Sequence, residues 1–244
     1  MDTMKQTICE GAKKLGIDIT DQSADALIRY FNILVERNKS VNLTRITEPF
    51  DVATKHFLDS LTPITSDLVK GKVIDVGTGA GFPGLVIKCA MPDIELTLLD
   101  SLNKRIEFLR DAADLMGIKD KINFVHARAE DAGKSDAHRS MYDTVLSRAV
   151  ANMRTLSEWC LPLLKTGGYF LALKGPLADS ELDDARPAIS VLGGEVIDVM
   201  KVNIPFTELD HKIIIVKKVR QTPQVFPRMG KKATAVPAEK AVKM

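Results

Sequence analysis

A sheet of mostly parallel strands covered by helices on both faces is the fold that this 244-residue sequence predicts. From Lys72 onward, short apolar runs rich in β-branched residues alternate with helical stretches, the rhythm of a wound α/β domain. The first run, "KVIDV", passes into "GTGAGFPG", a glycine-rich loop that opens a helix, which is where an open α/β sheet binds a nucleotide-like ligand. The second run ends on Asp100. It lies roughly 20 residues further on, the distance at which an acidic side chain takes a ribose hydroxyl pair.

Residues 1–70 read as a helical region packed on the main domain, 71–220 as the α/β domain, and 221–244 as a basic tail. "SADALIRYFNILVERNKSVNL" sets Ala24, Leu27, Ile28, Phe31 and Leu34 on one face, behind the candidate caps Thr20, Asp21 and Ser23. "EPFDVATKHFLDSL" repeats the pattern with Val52, Phe57, Leu58 and Leu61. Strands then follow at "KVIDV", "IELTLLD", "INFVHA", "YDTVLSRAV" and "GYFLALKG", with helices at "NKRIEFLRDAADLMG" and "NMRTLSEWCLPLL". Pro83 suits the first turn of the helix after the loop, where its missing N–H costs nothing. Only "PFTELD" separates "EVIDVMKVNI" from "HKIIIVKKV", too short for a crossover helix, so this last pair is predicted antiparallel.

A net charge of +2 implies no polyanionic partner by itself, but the distribution is uneven. After residue 211 nine basic residues, among them Lys212, Lys218, Arg228, Lys231 and Lys232, face only Glu239 as an acid beyond that point, which suggests an anionic surface to be met. Cys9, Cys89 and Cys160 are widely spaced and form no C-x-x-C pair, so neither zinc nor a disulfide framework is indicated, and a reducing compartment fits. "MDTMKQTICEGAKKLG" has no apolar core of a leader peptide and no run approaches membrane-spanning length. A cytoplasmic protein without a membrane or metal partner is expected.

The glycines fall at 77, 79, 81 and 84, and Phe82 stands where a dinucleotide fingerprint needs its last glycine. Asp75, two residues before the first glycine, would repel a pyrophosphate but suits a ligand carrying an ammonium and a sulfonium. S-adenosylmethionine is such a ligand, with Asp75, Gly77, Gly79, Gly81, Phe82, Asp100 and Ser101 as candidate contacts. The other reading of Asp100 is a cap on the helix that starts near Asn103. In "HARAED", Ala129 and Glu130 lie where an adenine edge would sit; a solvated polar loop is the alternative.

The segments "VNLTRIT", "KHFLDSL", "VIDVGTGAGFPG", "LLDSLNKRIEFL", "ARAED", "VLSRAVA", "LALKG" and "PRMGKK" resemble, in this order, those of the bacterial small-subunit ribosomal RNA guanine-N7 methyltransferases, the glucose-inhibited division protein B family. The resemblance covers about residues 30 to 237. It implies the class I, Rossmann-like methyltransferase fold with seven strands, S-adenosylmethionine as donor, and a guanine in 16S ribosomal RNA, free or in an assembly intermediate, as acceptor. The cofactor contacts it implies fall at Gly77, Phe82, Ala129, Glu130 and Arg148, with Asp100 matching the ribose acid. The extension after Pro237 has no counterpart in the family pattern.

Guanine N7 carries its own lone pair, so no general base is expected and catalysis should rest on orientation. Arg148, at the carboxyl end of its strand, is the candidate positioning residue; a surface ion pair with Asp143 or Glu130 is the alternative. Lys174 ends the matching strand "LALKG" and reads either as an RNA contact or as a solvated charge. His56 and Asp59 are neighbours on a helix face, with RNA or active-site lining weighed against capping. Arg45, Lys55, His56, Lys174, Arg228, Lys231 and Lys232 are the RNA-binding candidates, with Phe226 and Pro227 pinning the tail. Trp159 and Met116 read as core, and a monomer is expected. The alternatives are a methyltransferase for a small molecule or protein, and a non-enzymatic RNA-binding module.

Overall fold

A computed structural model of the protein describes residues 2–229 and residue 238. Helices α1 (Asp2–Lys14) and α2 (Asp21–Val41) come first. The side chain of Thr20 caps α2 by accepting from the Ser23 N–H at 3.1 Å. At its other end Asn42 adopts a left-handed φ of 53°, and the Asn38 amide clamps the turn, accepting from the backbone N–H groups of Leu43 and Thr44 at 2.7 and 2.9 Å. A continuous helical segment follows: α3 (Pro49–Asp51), π-helical turns over Val52–Leu58, α4 (Asp59–Leu61) and a 3-10 turn over Thr62–Ser66. The sequence pattern predicts an ordinary helix here; the widened π turns change which side chains share a face.

The strands are β1 (Lys72–Val76), β2 (Glu95–Asp100), β3 (Ile122–His126), β4 (Tyr142–Arg148), β5 (Leu164–Lys174), β6 (Gly194–Val202) and β7 (His211–Lys218). They form one sheet in the order β3-β2-β1-β4-β5-β7-β6. β7 runs antiparallel to both neighbours and every other pairing is parallel, as the short link before β7 predicts. The connecting helices are α5 (Gly84–Ala90), α6 (Asn103–Met116), α7 (Ala129–Lys134), α8 (Met153–Cys160) and α9 (Ala178–Val191).

Alternate residues of each strand point into two cores, one on each face. Val73, Leu96, Leu98, Ile213 and Ile215 join Ile8, Leu27, Phe57, Leu85 and Leu109 on one side, so the N-terminal helices and the sheet share a single core; Met116 is buried there. Ile74, Val76, Leu99, Ile214 and Val216 join Leu156, Leu161 and Ile189 on the other. Of the basic tail, the stretch through residue 229 docks on this second core. Phe226 is fully buried, and Arg139 donates to the carbonyls of Thr222 and Phe226 at 2.8 Å each.

Candidate functional site

The carboxyl ends of β1, β2 and β4 open into a cavity of about 420 Å³. Its floor is the glycine loop, whose shape is set from below. The Asp75 carboxylate accepts from the Thr78 hydroxyl at 2.7 Å and from the Gly84 N–H, at the start of α5, at 2.9 Å. Burial holds this carboxyl up at about pH 6, against those two hydrogen bonds. Gly77 and Gly79 take left-handed φ values of 71° and 60°. A side chain on Gly79 would find nothing nearer than the Gly77 carbonyl at 3.9 Å, so that face of the loop is open to an approaching ligand.

Asp100 closes one end of the cavity. Its carboxylate accepts from the N–H groups of Gly79 at 3.0 Å and Leu102 at 2.9 Å and from Arg105 at 3.2 Å. It therefore braces the loop and caps the entry to α6 while lining the wall. Ser101, Ala129 and Glu130 line the same wall, beside the apolar Leu99 and Phe82. An acidic end, apolar sides and an open glycine floor in a volume of this size fit S-adenosylmethionine.

At the other end Arg148 leaves β4 and is fixed on several sides. Its guanidinium donates to Asp59 at 2.8 Å, to the Lys55 carbonyl at 3.3 Å and to Nδ1 of His56 at 3.3 Å, and lies 5.0 Å from the centre of the Phe82 ring. His56 in turn stacks on Phe82 at 4.5 Å and its Nε2 meets the Thr44 hydroxyl at 2.8 Å. Asp59 also accepts from Nδ1 of His211 at 2.9 Å. Burial raises the Asp59 carboxyl, but His211 and Arg148 outweigh that and hold it below the usual carboxylate value. The hydrogen bond to Asp59 raises His211. A second cavity, of about 560 Å³, opens on the far side, and His56, Arg148, Ala149 and Val150 line both.

Residues 23–210 match the GidB family, described as rRNA small subunit methyltransferase G. A protein named ribosomal RNA small subunit methyltransferase G from Alkaliphilus oremlandii (strain OhILAs) is 51% identical over 238 residues, covering 96% of this chain and 98% of the relative. The chain belongs to the rRNA small subunit methyltransferase G family. A protein of that name from Lactobacillus johnsonii is 48% identical over 89% of this chain and 92% of its own. Among solved structures, a SAM-dependent O-methyltransferase from Thermotoga maritima superposes with a TM-score of 0.51 at 16% identity, over 78% of this chain and 72% of that one. TrmN from Thermus thermophilus gives 0.50 at 21% identity, over 68% and 53%. These two share the fold.

Several expectations need correction in this methyltransferase G family member. Asp75 and Gly81 do not line the cofactor cavity. Asp75 is turned under the loop, and a Cβ on Gly81 would lie 2.7 Å from the Tyr30 hydroxyl and 2.8 Å from Leu85 and Leu109, so this glycine serves the packing of α2. Arg148 pairs with Asp59, not with Asp143 or Glu130. Lys174 is buried and spends its ammonium on the Ala151 carbonyl at 2.6 Å and Glu181 at 2.7 Å, which removes it as a phosphate contact.

Arg228 is buried as well; Glu158 accepts from its backbone N–H, Nε and terminal nitrogen at 2.7, 2.9 and 2.6 Å. It anchors the tail, with its guanidinium turned inward onto α8. Lys218, another member of the basic end, points inward to the carbonyls of Leu161 and Leu192 at 2.6 and 3.1 Å. Lys231 and Lys232 lie outside the described residues. Arg45 stays exposed beside the cavity residues Leu43 and Thr44, and Lys55 pairs with Asp51 at 2.8 Å at the surface.

Sequence reasoning missed Thr44, Glu181 and His211. Trp159, read as core, is half-buried against the second core and also lines the cavity, with its indole N–H buried and without a hydrogen-bond partner among the described residues.

His56 gives a pH signature. Burial and then the Arg148 charge lower its imidazole to about 4, against an ordinary 6.5. The unfolded chain therefore takes up this proton first as pH falls, and stability drops between pH 6.5 and 4 by about 3 kcal/mol. His56→Gln is expected to lose that much less stability than the parent between pH 7 and 4. Urea titrations at the two pH values check it, since the remaining titrating groups are common to both proteins.

Proposed function

We propose that the chain methylates N7 of a guanine in small-subunit (16S) ribosomal RNA, free or in an assembly intermediate, in the cytoplasm, using S-adenosylmethionine. When bound, this cofactor supplies an electrophilic methyl group on a positively charged sulfur. The residues that would hold it are Gly77 and Gly79 under it, Asp100 with Ser101 at the ribose end, Ala129 and Glu130 on the adenine side, and Phe82 near Arg148.

The observation that carries the reading is the chemistry of the wall between the two cavities. The Arg148 guanidinium has N–H donors only and no acceptor site. Nδ1 of His56 accepts from Arg148, which assigns the proton to Nε2 and directs it to Thr44, and burial with the Arg148 charge lowers its basicity. Neither Arg148 nor His56, the two ionisable side chains on that wall, offers a general base. An acceptor whose attacking atom already bears a lone pair suits such a wall, and guanine N7 is one; a hydroxyl or an exocyclic amine has a proton to lose. The N7 lone pair forms the new N–CH3 bond as the S–CH3 bond breaks, and the positive charge passes to the base. The chain's part is to orient, and the threefold anchoring of Arg148 supplies a rigid wall for that. Arg45 and Lys55 at the rim are the proposed phosphate contacts.

The test is incubation with tritiated S-adenosylmethionine and bulk RNA lacking this modification, followed by mapping of the label. One guanine of the small-subunit RNA should carry it, and mild borohydride and aniline treatment should cleave the strand there, as N7 alkylation requires. Label on an exocyclic amine, a ribose, a protein or a small molecule overturns the reading.

A further inference from the structure

We infer that the second cavity receives the target guanine, with its N1–H and N2–H edge on Glu181 and its O6 toward Arg148, which makes Glu181 a specificity-determining residue. This rests on the proposed N7 methylation and deepens it.

The cavity adjoins the cofactor cavity across Arg148, so a base seated in it can turn N7 toward the transferred methyl group. The hydrogen-bonding capacity left on its walls then decides which base fits. Both Asp59 oxygens are engaged, one by Arg148 and the other by His211, and the side chain is buried. Of the five N–H donors of a guanidinium, Arg148 commits three, to Asp59, Lys55 and His56, and donors remain for an acceptor. Glu181, in the first turn of α9, is the counterpart. One of its oxygens accepts from Lys174 at 2.7 Å and from the Met153 N–H, at the start of α8, at 2.9 Å. These bonds fix the carboxylate, and its other oxygen takes no hydrogen bond among the described residues, on a side chain 27% exposed in the cavity wall.

The walls thus offer donors at one place and a lone carboxylate oxygen at another. Guanine matches with the O6 acceptor on the first and N1–H or N2–H on the second. In the same orientation adenine sets its N6 amine against Arg148 and its N1 lone pair against a carboxylate. Arg148 reaches O6 alone, because a bidentate O6/N7 contact of the usual kind would occupy the nucleophile. As N7 is alkylated the ring becomes cationic and its N1–H more acidic, so a carboxylate on that edge interacts more strongly in the transition state than before it.

Glu181→Gln tests this: the amide oxygen can keep the bonds to Met153 and Lys174 and the amide turns an N–H2 donor into the cavity, while the charge opposite the buried Lys174 ammonium is lost. The melting temperature should fall, because Lys174 loses its carboxylate partner, but the protein should still fold and its S-adenosylmethionine affinity by calorimetry should stay near the parent's. The kcat/KM for RNA methylation should fall about 10- to 100-fold, the worth of a good base contact, and Glu181→Asp should recover part of it. Independently of activity, saturation-transfer NMR on the parent loaded with S-adenosylhomocysteine should show guanosine 5′-monophosphate bound in preference to adenosine 5′-monophosphate, and Glu181→Gln should erase the preference. Equal saturation of the two nucleotides by the parent, or a Glu181→Gln kcat/KM within twofold of it while the parent labels guanine N7, overturns the inference and leaves the proposed function standing. A parent that labels no guanine N7 removes both.

Discussion

Gly79→Val is expected to abolish S-adenosylmethionine binding, a loss of at least about 100-fold, while the protein still folds. The residue holds a left-handed φ of 60°, and its N–H is bonded to Asp100. A β-branched residue there is strained by about 1–2 kcal/mol or somewhat more. That is a fraction of the stability of a domain this size. The binding loss has a different origin, because the new side chain would stand in the open cavity on the face the cofactor must approach. Gly117→Val separates the two effects. Gly117 ends α6 at a φ of 75° with open space around it, far along the chain from the loop. It should show similar strain in a thermal melt and bind S-adenosylmethionine as the parent does. Calorimetry on the three proteins decides, and a folded Gly79→Val that binds normally removes the glycine loop from the site.

Glu158→Ala should lower stability by about 3–5 kcal/mol, the range for breaking a buried ion pair by removing one partner. Glu158 is buried on α8 and receives the backbone and guanidinium donors of Arg228, which itself lies over the Phe226 ring at 5.5 Å. Its removal strips a buried guanidinium of the carboxylate that offsets its desolvation, and loosens the docking of the tail on the second core. For a chain of this length the melting temperature should drop by about 10 °C. Arg228→Ala should destabilise too, yet leave the salt dependence of RNA binding unchanged. A phosphate contact would instead lower the log–log slope by about one unit. A slope reduced by that amount would return Arg228 to the RNA surface.

The reach of the sequence differs between local and long-range features. "KVIDVGTGAGFPG" states its own structure: a β-branched run must be a strand, glycines permit the left-handed turns at Gly77 and Gly79, and Pro83 sits at the entry to α5. The antiparallel pairing of β6 and β7 follows from the length of the link between them. The Arg148 cluster is another matter. Its members come from residues 56, 59, 148 and 211, and only the sheet order brings the ends of β4 and β7 to the same helical segment. Charged residues near the C-terminus read as an RNA-facing patch because charge is normally solvated. Arg228 and Lys218 are exceptions, made possible by Glu158 and by helix-end carbonyls more than twenty residues away in the chain. No periodicity encodes such partners.

The strand order also sets a schedule for making the protein. The apolar faces of α1 and α2 emerge from the ribosome first, but the residues they pack on, Leu85, Leu98 and Leu109, are synthesised tens of residues later. Among the described residues strand β6 has β7 as its only neighbour in the sheet, so it waits unpaired until His211–Lys218 has been translated. β7 in turn joins β5 to β6, and the half of the sheet beyond β5 closes only once residue 218 has been made. Non-local pairings of this kind form late and slowly, and exposed strands invite association in the interval. Slow synthesis through the first 110 residues would gain this chain little; the step that commits it to the native state comes after residue 218.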